Sequence, residues 1–287
     1  MQFYQREIYN EVKSCLESGV RSLPEVRELL LNMLVRVPGK ASLYYKNLIT
    51  GITFSYQPDL PLIAASVIKL PVMAEAFRQI RDGETTADAR FYIEAPHKLP
   101  SCGVLSYLRN GIEVTLLDLI TLMIIVSDNT ATNLLIDFLG PDSINATLCS
   151  LGAQNSRLNR RLFEPELSRR GIQNYITAED MGILLERIYR EEAISPEASK
   201  SMLHILTCQQ INGKIPFYLH SQGIRVAHKT GEDDGITHDV GIVFAKEPFI
   251  LCLCANEVDV PAFERLMQDA ARMLVDEQSY SSERNIL

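Results

Sequence analysis

The chain has no apolar run long enough to cross a bilayer. Its longest apolar stretch, around residues 116–126, is broken by Asp118 and Thr121, whereas a helical span needs about 20 consecutive apolar residues. It has no excess of positive charge either. The 28 Lys and Arg are outnumbered by 36 Asp and Glu, for a net charge of −8. That argues against a nucleic-acid partner, whose binders carry a basic face, and gives no support for an anionic membrane surface. The opening MQFYQREIYNEVKSCLESG lacks a basic region followed by an apolar one, so no secretory signal is read there. The expectation is a cytoplasmic chain, or a secreted or periplasmic one whose signal has been removed. The six cysteines (15, 102, 149, 208, 252 and 254) follow no zinc spacing. Scattered in this way, they fit a reducing compartment better than a disulfide framework. His97, His204, His220 and His228 form no ligand spacing either, so neither a metal nor a cofactor is expected. No internal repeat or low-complexity stretch interrupts the chain.

What is present suits one large domain. A chain of 287 residues, 46% hydrophobic, buries roughly 75% of its unfolded surface and needs no staple. Apolar residues recur at helical spacing over 3–18 and 24–36. SLYYKN and ITFSYQ read as two strands around a turn at 48–51. Helical patterns follow over 66–82, 115–126, 130–138, 142–150, 177–191 and 196–207, with Thr115, Asp142, Thr177 and Ser195 as N-cap types. Residues 224–231, 239–245 and 249–255 read as strands, with Cys252 and Cys254 on one face as small buried hydrophobes. A last helix covers about 261–275. Strands from both ends of the chain must therefore meet in one sheet. The expected fold class is two-lobed α/β: an antiparallel, mainly five-stranded sheet flanked by helices, with an all-helical lobe beside it. The sheet lobe takes about 1–65 and 208–287, and the helical lobe about 66–207, within a single domain. A small-molecule site is expected between the lobes, in a monomer.

Three short motifs carry chemistry. In Ser66-Val67-Ile68-Lys69, positions i and i+3 share a helix face, so hydroxyl and amine can meet. A serine is a poor nucleophile until a neighbour takes its proton, and a lysine can do so only with a lowered pKa. Alone, the motif equally describes a capping serine and a surface lysine. Ser127-Asp128-Asn129 ends an apolar helix and would otherwise be an ordinary capping turn. Lys229-Thr230-Gly231 lies in a strand pattern, where a glycine permits close backbone approach.

In this order, on these elements, the three form the trio of serine β-lactamases and penicillin-binding proteins. The surrounding AASVIKLPVM, VSDNTATNLLID and HKTG closely resemble class A β-lactamases, over about residues 42–275. The resemblance implies the β-lactamase/D,D-peptidase-like fold, acylation of Ser66 and hydrolysis of the acyl-enzyme. It implies that Lys69 activates Ser66 and Ser127 relays a proton to the leaving nitrogen. Asn129 would hold Lys69 and the substrate amide, while Asp128 braces the loop. Lys229, Thr230 and Gly231 would bind the substrate, and the Ser66 and Glu232 N–H groups would form the oxyanion hole. The hydrolytic base of class A enzymes lies in an E-x-x-L-N pattern. Glu164-Pro165-Glu166-Leu167-Ser168 stands in its place, which assigns Glu164 as the base, with Glu166 as the alternative.

The match departs in three places. Ser168 replaces the asparagine that helps hold the hydrolytic water. Glu232, followed by Asp233 and Asp234, puts negative charge where a small or neutral residue is usual and would repel an anionic substrate if it faced the cleft. The arginine often found on the next strand falls by count on Thr237 or His238, and His238 could supply a partial cation there. Arg225 is expected on the Lys229 face but ~13 Å away along the strand. Cys102 lies in the loop that forms one cleft wall of the family. The leading expectation is a β-lactam hydrolase. Alternatives are a D,D-peptidase, esterase or amidase of the same fold, or a sensor that stays acylated.

Overall fold

A computed structural model describes residues 22–284 of the chain; the helical pattern read over 3–18 lies outside them. Helix α1 (Leu23–Val35) starts at a capping box, in which the Ser22 N–H donates to Glu25 Oε2 (2.8 Å). Strands β1 (Lys40–Asn47) and β2 (Thr53–Tyr56) form the expected hairpin. Asn47 Oδ1 closes its turn by accepting from the Ile49 and Thr50 N–H groups. After β3 (Leu62–Ile63), a 3-10 turn (Ala65–Ile68) leads into α2 (Lys69–Arg81). The helical body adds β4 (Arg90–Ile93), β5 (Ile112–Thr115), α3 (Leu116–Ile125), α4 (Asn129–Leu139), α5 (Pro141–Ser150), α6 (Pro165–Arg169), β6 (Tyr175–Ile176), α7 (Ala178–Tyr189) and α8 (Pro196–Thr207). Strands β7 (Val226–Asp233), β8 (Ile236–Val243) and β9 (Phe249–Asn256) and helix α9 (Val260–Arg284) complete the chain.

The main sheet has five strands in the order β2-β1-β9-β8-β7, with every pair antiparallel. Strand β1 pairs with β9 along its whole length, which is how the two ends of the sequence meet. The run FILCLCA in β9 is apolar throughout because both faces of the sheet are covered. Ile250, Cys252 and Cys254 enter the core shared with the helical body, while Phe249, Leu251, Leu253 and Ala255 enter a second core under α1 and α9. The two cysteines do share one face, and burial pushes both thiols up out of the reactive range.

Thr115, Thr177 and Ser195 cap α3, α7 and α8 through their side-chain oxygens. Asp142 does not cap α5. That helix begins one residue earlier, at Pro141, whose fixed φ suits the first helical position. No helix among the described residues is long and apolar enough to cross a membrane. Strand β7 is a sheet edge, and its outer side runs past the turn that carries Ser66.

Candidate active site

Ser66 sits in the 3-10 turn and Lys69 at its close, where α2 begins. Helix α2 is buried on nearly every side, so the Lys69 side chain has no route to water and is fully enclosed. Its Nζ lies 2.9 Å from Ser66 Oγ, 2.8 Å from Ser127 O, 2.9 Å from Ser127 Oγ and 3.0 Å from Asn129 Oδ1. Desolvation, and next the nearby charge of Lys229, hold this amine well below the ordinary lysine range. In its neutral form the amine has a limited set of bonds to offer. A neutral amine has two N–H donors and one lone pair. Ser127 O is a carbonyl and can only accept. Asn129 Oδ1 can also only accept, its orientation set by Nδ2, which donates to Pro100 O (3.2 Å). These two partners use both N–H groups, and the lone pair is left for a serine hydroxyl.

Ser127 occupies a left-handed backbone position (φ 56°), an arrangement that the following Asp128 holds in place. Asp128 is 1% exposed. Its Oδ1 caps α4 by accepting from Ala131 N (2.9 Å), and its Oδ2 accepts from Val104 N (2.6 Å) and Leu105 N (2.9 Å). The loop carrying Cys102 is thereby strapped to the Ser127 corner, and Asn129 N adds a bond to Cys102 O (3.2 Å). Gly103 is required at this contact: its φ is +108°, and a Cβ there would fall on the Asp128 carboxylate.

Strand β7 brings the third motif. The Lys229 side chain is fully buried, with Nζ 3.1 Å from Ser127 Oγ and 2.8 Å from Thr230 O. Desolvation lowers it to about 7, opposed by the attraction of Asp239 and assisted by Lys214. Ser127 Oγ thus stands between two amines, within hydrogen-bond distance of both. Gly231 lets the strand close on the nucleophile turn. A Cβ there would lie 3.1 Å from Val67 Cγ2 and 3.3 Å from Ala64 O.

The loop from 157 to 175 is drawn together at its neck by backbone bonds between Arg157 and Tyr175 (2.8 and 2.9 Å). Asn133 ties the loop to α4 by two bonds with Leu162. Glu164 precedes α6 in this loop. Its carboxylate accepts from Arg161 N (3.0 Å) and Arg161 Nε (3.1 Å), and Arg161 also pairs with Asp137 (3.0 Å). These bonds run to Arg161 rather than to Lys69. Ser168 Oγ accepts from Gln173 Nε2 (2.7 Å). Glu166 pairs with Arg169 on the surface.

His238 is not where a substrate-binding cation would have to be. It is fully buried; Nε2 donates to Ile63 O (2.8 Å) and Nδ1 accepts from Ala255 N (3.1 Å). Burial lowers it to about 4, so it is a neutral structural residue at neutral pH. The other rim expectation has a definite geometry. The Glu232 carboxylate pairs with Lys214 (3.0 Å), an almost completely buried cation that also donates to Gly231 O and His238 O (3.2 Å each) and lies 3.5 Å from Glu264. Nothing in the spacing of INGKIPF marks Lys214; its only sequence sign is a charge set beside Ile215 and Pro216. His228 faces the side of β7 opposite Lys229 and is buried against Asp239 (2.8 Å) and Asn212 (3.1 Å). Arg225 stacks over the Phe244 ring, 4.9 Å from its centroid.

A serine bonded to a buried, depressed lysine, with a second serine between that lysine and another, defines the class: a serine hydrolase. The chain belongs to the beta-lactamase enzyme family, whose model matches residues 25–278. It is 27% identical over 245 residues to a beta-lactamase of Streptomyces fradiae, covering 79% of this chain and 78% of that protein. The crystal structure of a beta-lactamase from Sphaerobacter thermophilus superposes with a TM-score of 0.82 at 30% identity, covering 89% of this chain and 98% of that one. PBP-A superposes with a TM-score of 0.80 at 27% identity, covering 92% and 98%.

Proposed function

We propose that the chain is a serine β-lactam hydrolase acting through an ester on Ser66. Neutral Lys69 accepts the Ser66 proton as Oγ attacks the lactam carbonyl. The N–H groups of Ser66 and Glu232 receive the oxyanion. As the C–N bond breaks, the proton passes from Lys69 through Ser127 Oγ to the departing nitrogen. Lys229 and Thr230 bind an anionic group of the substrate, and Asn129 its side-chain amide. Glu164 then takes a proton from water, whose oxygen attacks the ester carbonyl; as the bond to Ser66 Oγ breaks, that proton passes back to Oγ and frees the serine. The observation that carries this reading is the Lys69 amine, buried and within 3.0 Å of four oxygens, one of them Ser66 Oγ.

Intact-mass spectrometry after mixing with a penicillin tests it. An adduct of the whole penicillin should form on Ser66, be absent in Ser66→Ala, and decay with release of hydrolysed product. A second reading, a chain that stays acylated, is favoured by the Arg161–Glu164 pair and by the engagement of Ser168 with Gln173. Under that reading the adduct forms and persists.

A further inference from the structure

Glu232 follows Gly231 on the strand that closes on Val67, next to the nucleophile. Side chains alternate along a strand, so Glu232 lies on the Thr230 face, whereas Lys229 and Gly231 lie on the other. Its carboxylate is half exposed, yet it is bonded to a lysine that is 2% exposed. Lys214 Nζ meets two strand carbonyls, at Gly231 and His238, whose residues pair across β7 and β8. Buried carbonyls solvate the ammonium, but they carry no charge. A buried cation of this kind demands an anion, and two are present: Glu232 at 3.0 Å and Glu264 at 3.5 Å. The Glu264 carboxylate is also held by Thr237 Oγ1 (3.1 Å). Glu232 has no such second anchor, and it reaches Lys214 from the side of the cleft strand.

We infer that Glu232 is a specificity residue of this cleft, which claims the charge of Lys214 for itself and so disfavours acyl substrates bearing a carboxylate beside the scissile bond. This rests on the proposed acylation of Ser66. With Lys214 neutralised, an anionic substrate group finds only Lys229 and Thr230. It also meets the exposed carboxylate of Glu232, with Asp233 and Asp234 beyond. An ester of the same substrate meets no such opposition. The acid form is thus penalised twice, by repulsion and by the loss of a cation.

The test compares one cephalosporin with its methyl ester at pH 6, where Lys229 is charged. The rate of adduct formation on Ser66 is read by intact mass, and turnover is read separately by absorbance. Glu232→Gln should raise the acid-to-ester ratio of acylation rates about five- to tenfold, the effect of removing one like charge at a partly screened rim. Asp234→Asn, which removes the same charge nearby without touching Lys214, should change the ratio less than about twofold. Lys214→Gln added to Glu232→Gln should return the ratio toward wild type. An unchanged ratio in Glu232→Gln, or an equal rise in Asp234→Asn, overturns the inference. So does the absence of an adduct from both compounds. Adducts that shift as expected but never turn over leave the inference standing and remove the hydrolase reading instead.

Discussion

Replacing Asp128 by alanine tests how the active-site corner is held. The carboxylate is 1% exposed and accepts three backbone N–H bonds, from Val104, Leu105 and Ala131. The Ala131 bond is the N-cap of α4, and losing such a cap costs about 1 kcal/mol. The other two donors lose their partner in a buried place, at about 1–3 kcal/mol each. Water entering the vacated space recovers part of this, so the expected loss is about 3–4 kcal/mol out of a typical total of about 5–15. At about 2–4 °C per kcal/mol for a large domain, the melting temperature should fall by roughly 10 °C. Asp128→Asn keeps one acceptor oxygen but turns an NH₂ toward a remaining donor, so it should lose about half as much. Because Asp128 also holds the left-handed Ser127 and the Cys102 loop, acylation should fall more than 100-fold in Asp128→Ala even well below its melting temperature. Calorimetry with intact-mass acylation rates provides both readouts. A loss under about 1 kcal/mol, or acylation at the wild-type rate, would refute the argument that this one carboxylate builds the corner.

Further outcomes follow from the same geometry. Lys229 titrates near 7 because it is buried; it is charged below that pH and neutral above. The kcat/KM for a carboxylate-bearing lactam should therefore fall as pH rises through about 7, and the fall should be absent for its methyl ester. A pH–rate profile of the pair checks this. Glu164→Gln should leave Ser66 acylation within about threefold but lengthen the lifetime of the adduct at least 100-fold by mass spectrometry, since a base in the second step is lost. Arg161→Ala removes the guanidinium from the Glu164 carboxylate, leaving only the backbone N–H bond, and should shorten that lifetime; a longer one would contradict a restraining role. Gly231→Ala puts a Cβ 3.0 Å from His238 Cδ2 and 3.1 Å from Val67 Cγ2, so β7 must move a few tenths of an ångström. About 1–3 kcal/mol of stability and at least tenfold in acylation should be lost, read by thermal melts and adduct kinetics.

The residues that bring the three motifs together were legible because each sits on a regular element with a local signature. Helical spacing places Lys69 a turn from Ser66, the caps mark the ends of α3 and α4, and a run of alternating or apolar residues marks β7. That strands from both ends of the chain share one sheet was legible because helices separate strands that cannot be buried alone; that β1 pairs with β9 came only from the structure. The short strands β3, β4, β5 and β6 carried too few residues to show a period. The longer misreading, His238, came from counting along a hairpin. A count gives the position on the strand but not what covers it: His238 pairs with Gly231, shares its face, and is buried against β3 and β9, where both ring nitrogens find backbone partners. Lys214 and Arg161 were missed for a related reason. Neither lies in a periodic pattern, and their importance comes from carboxylates and carbonyls that tertiary folding brings to them. The partner of Glu164 could not be read from the loop sequence, because the bond to Arg161 depends on how the loop folds back on itself.

The most direct test of the central claim is multiple turnover of a chromogenic cephalosporin at neutral pH, with Ser66→Ala alongside. Sustained colour well beyond one equivalent of enzyme, lost in Ser66→Ala, is the predicted result; it means that Ser66 is acylated and then freed by water. A single stoichiometric burst contradicts the hydrolytic second step, and turnover that survives in Ser66→Ala contradicts the nucleophile itself.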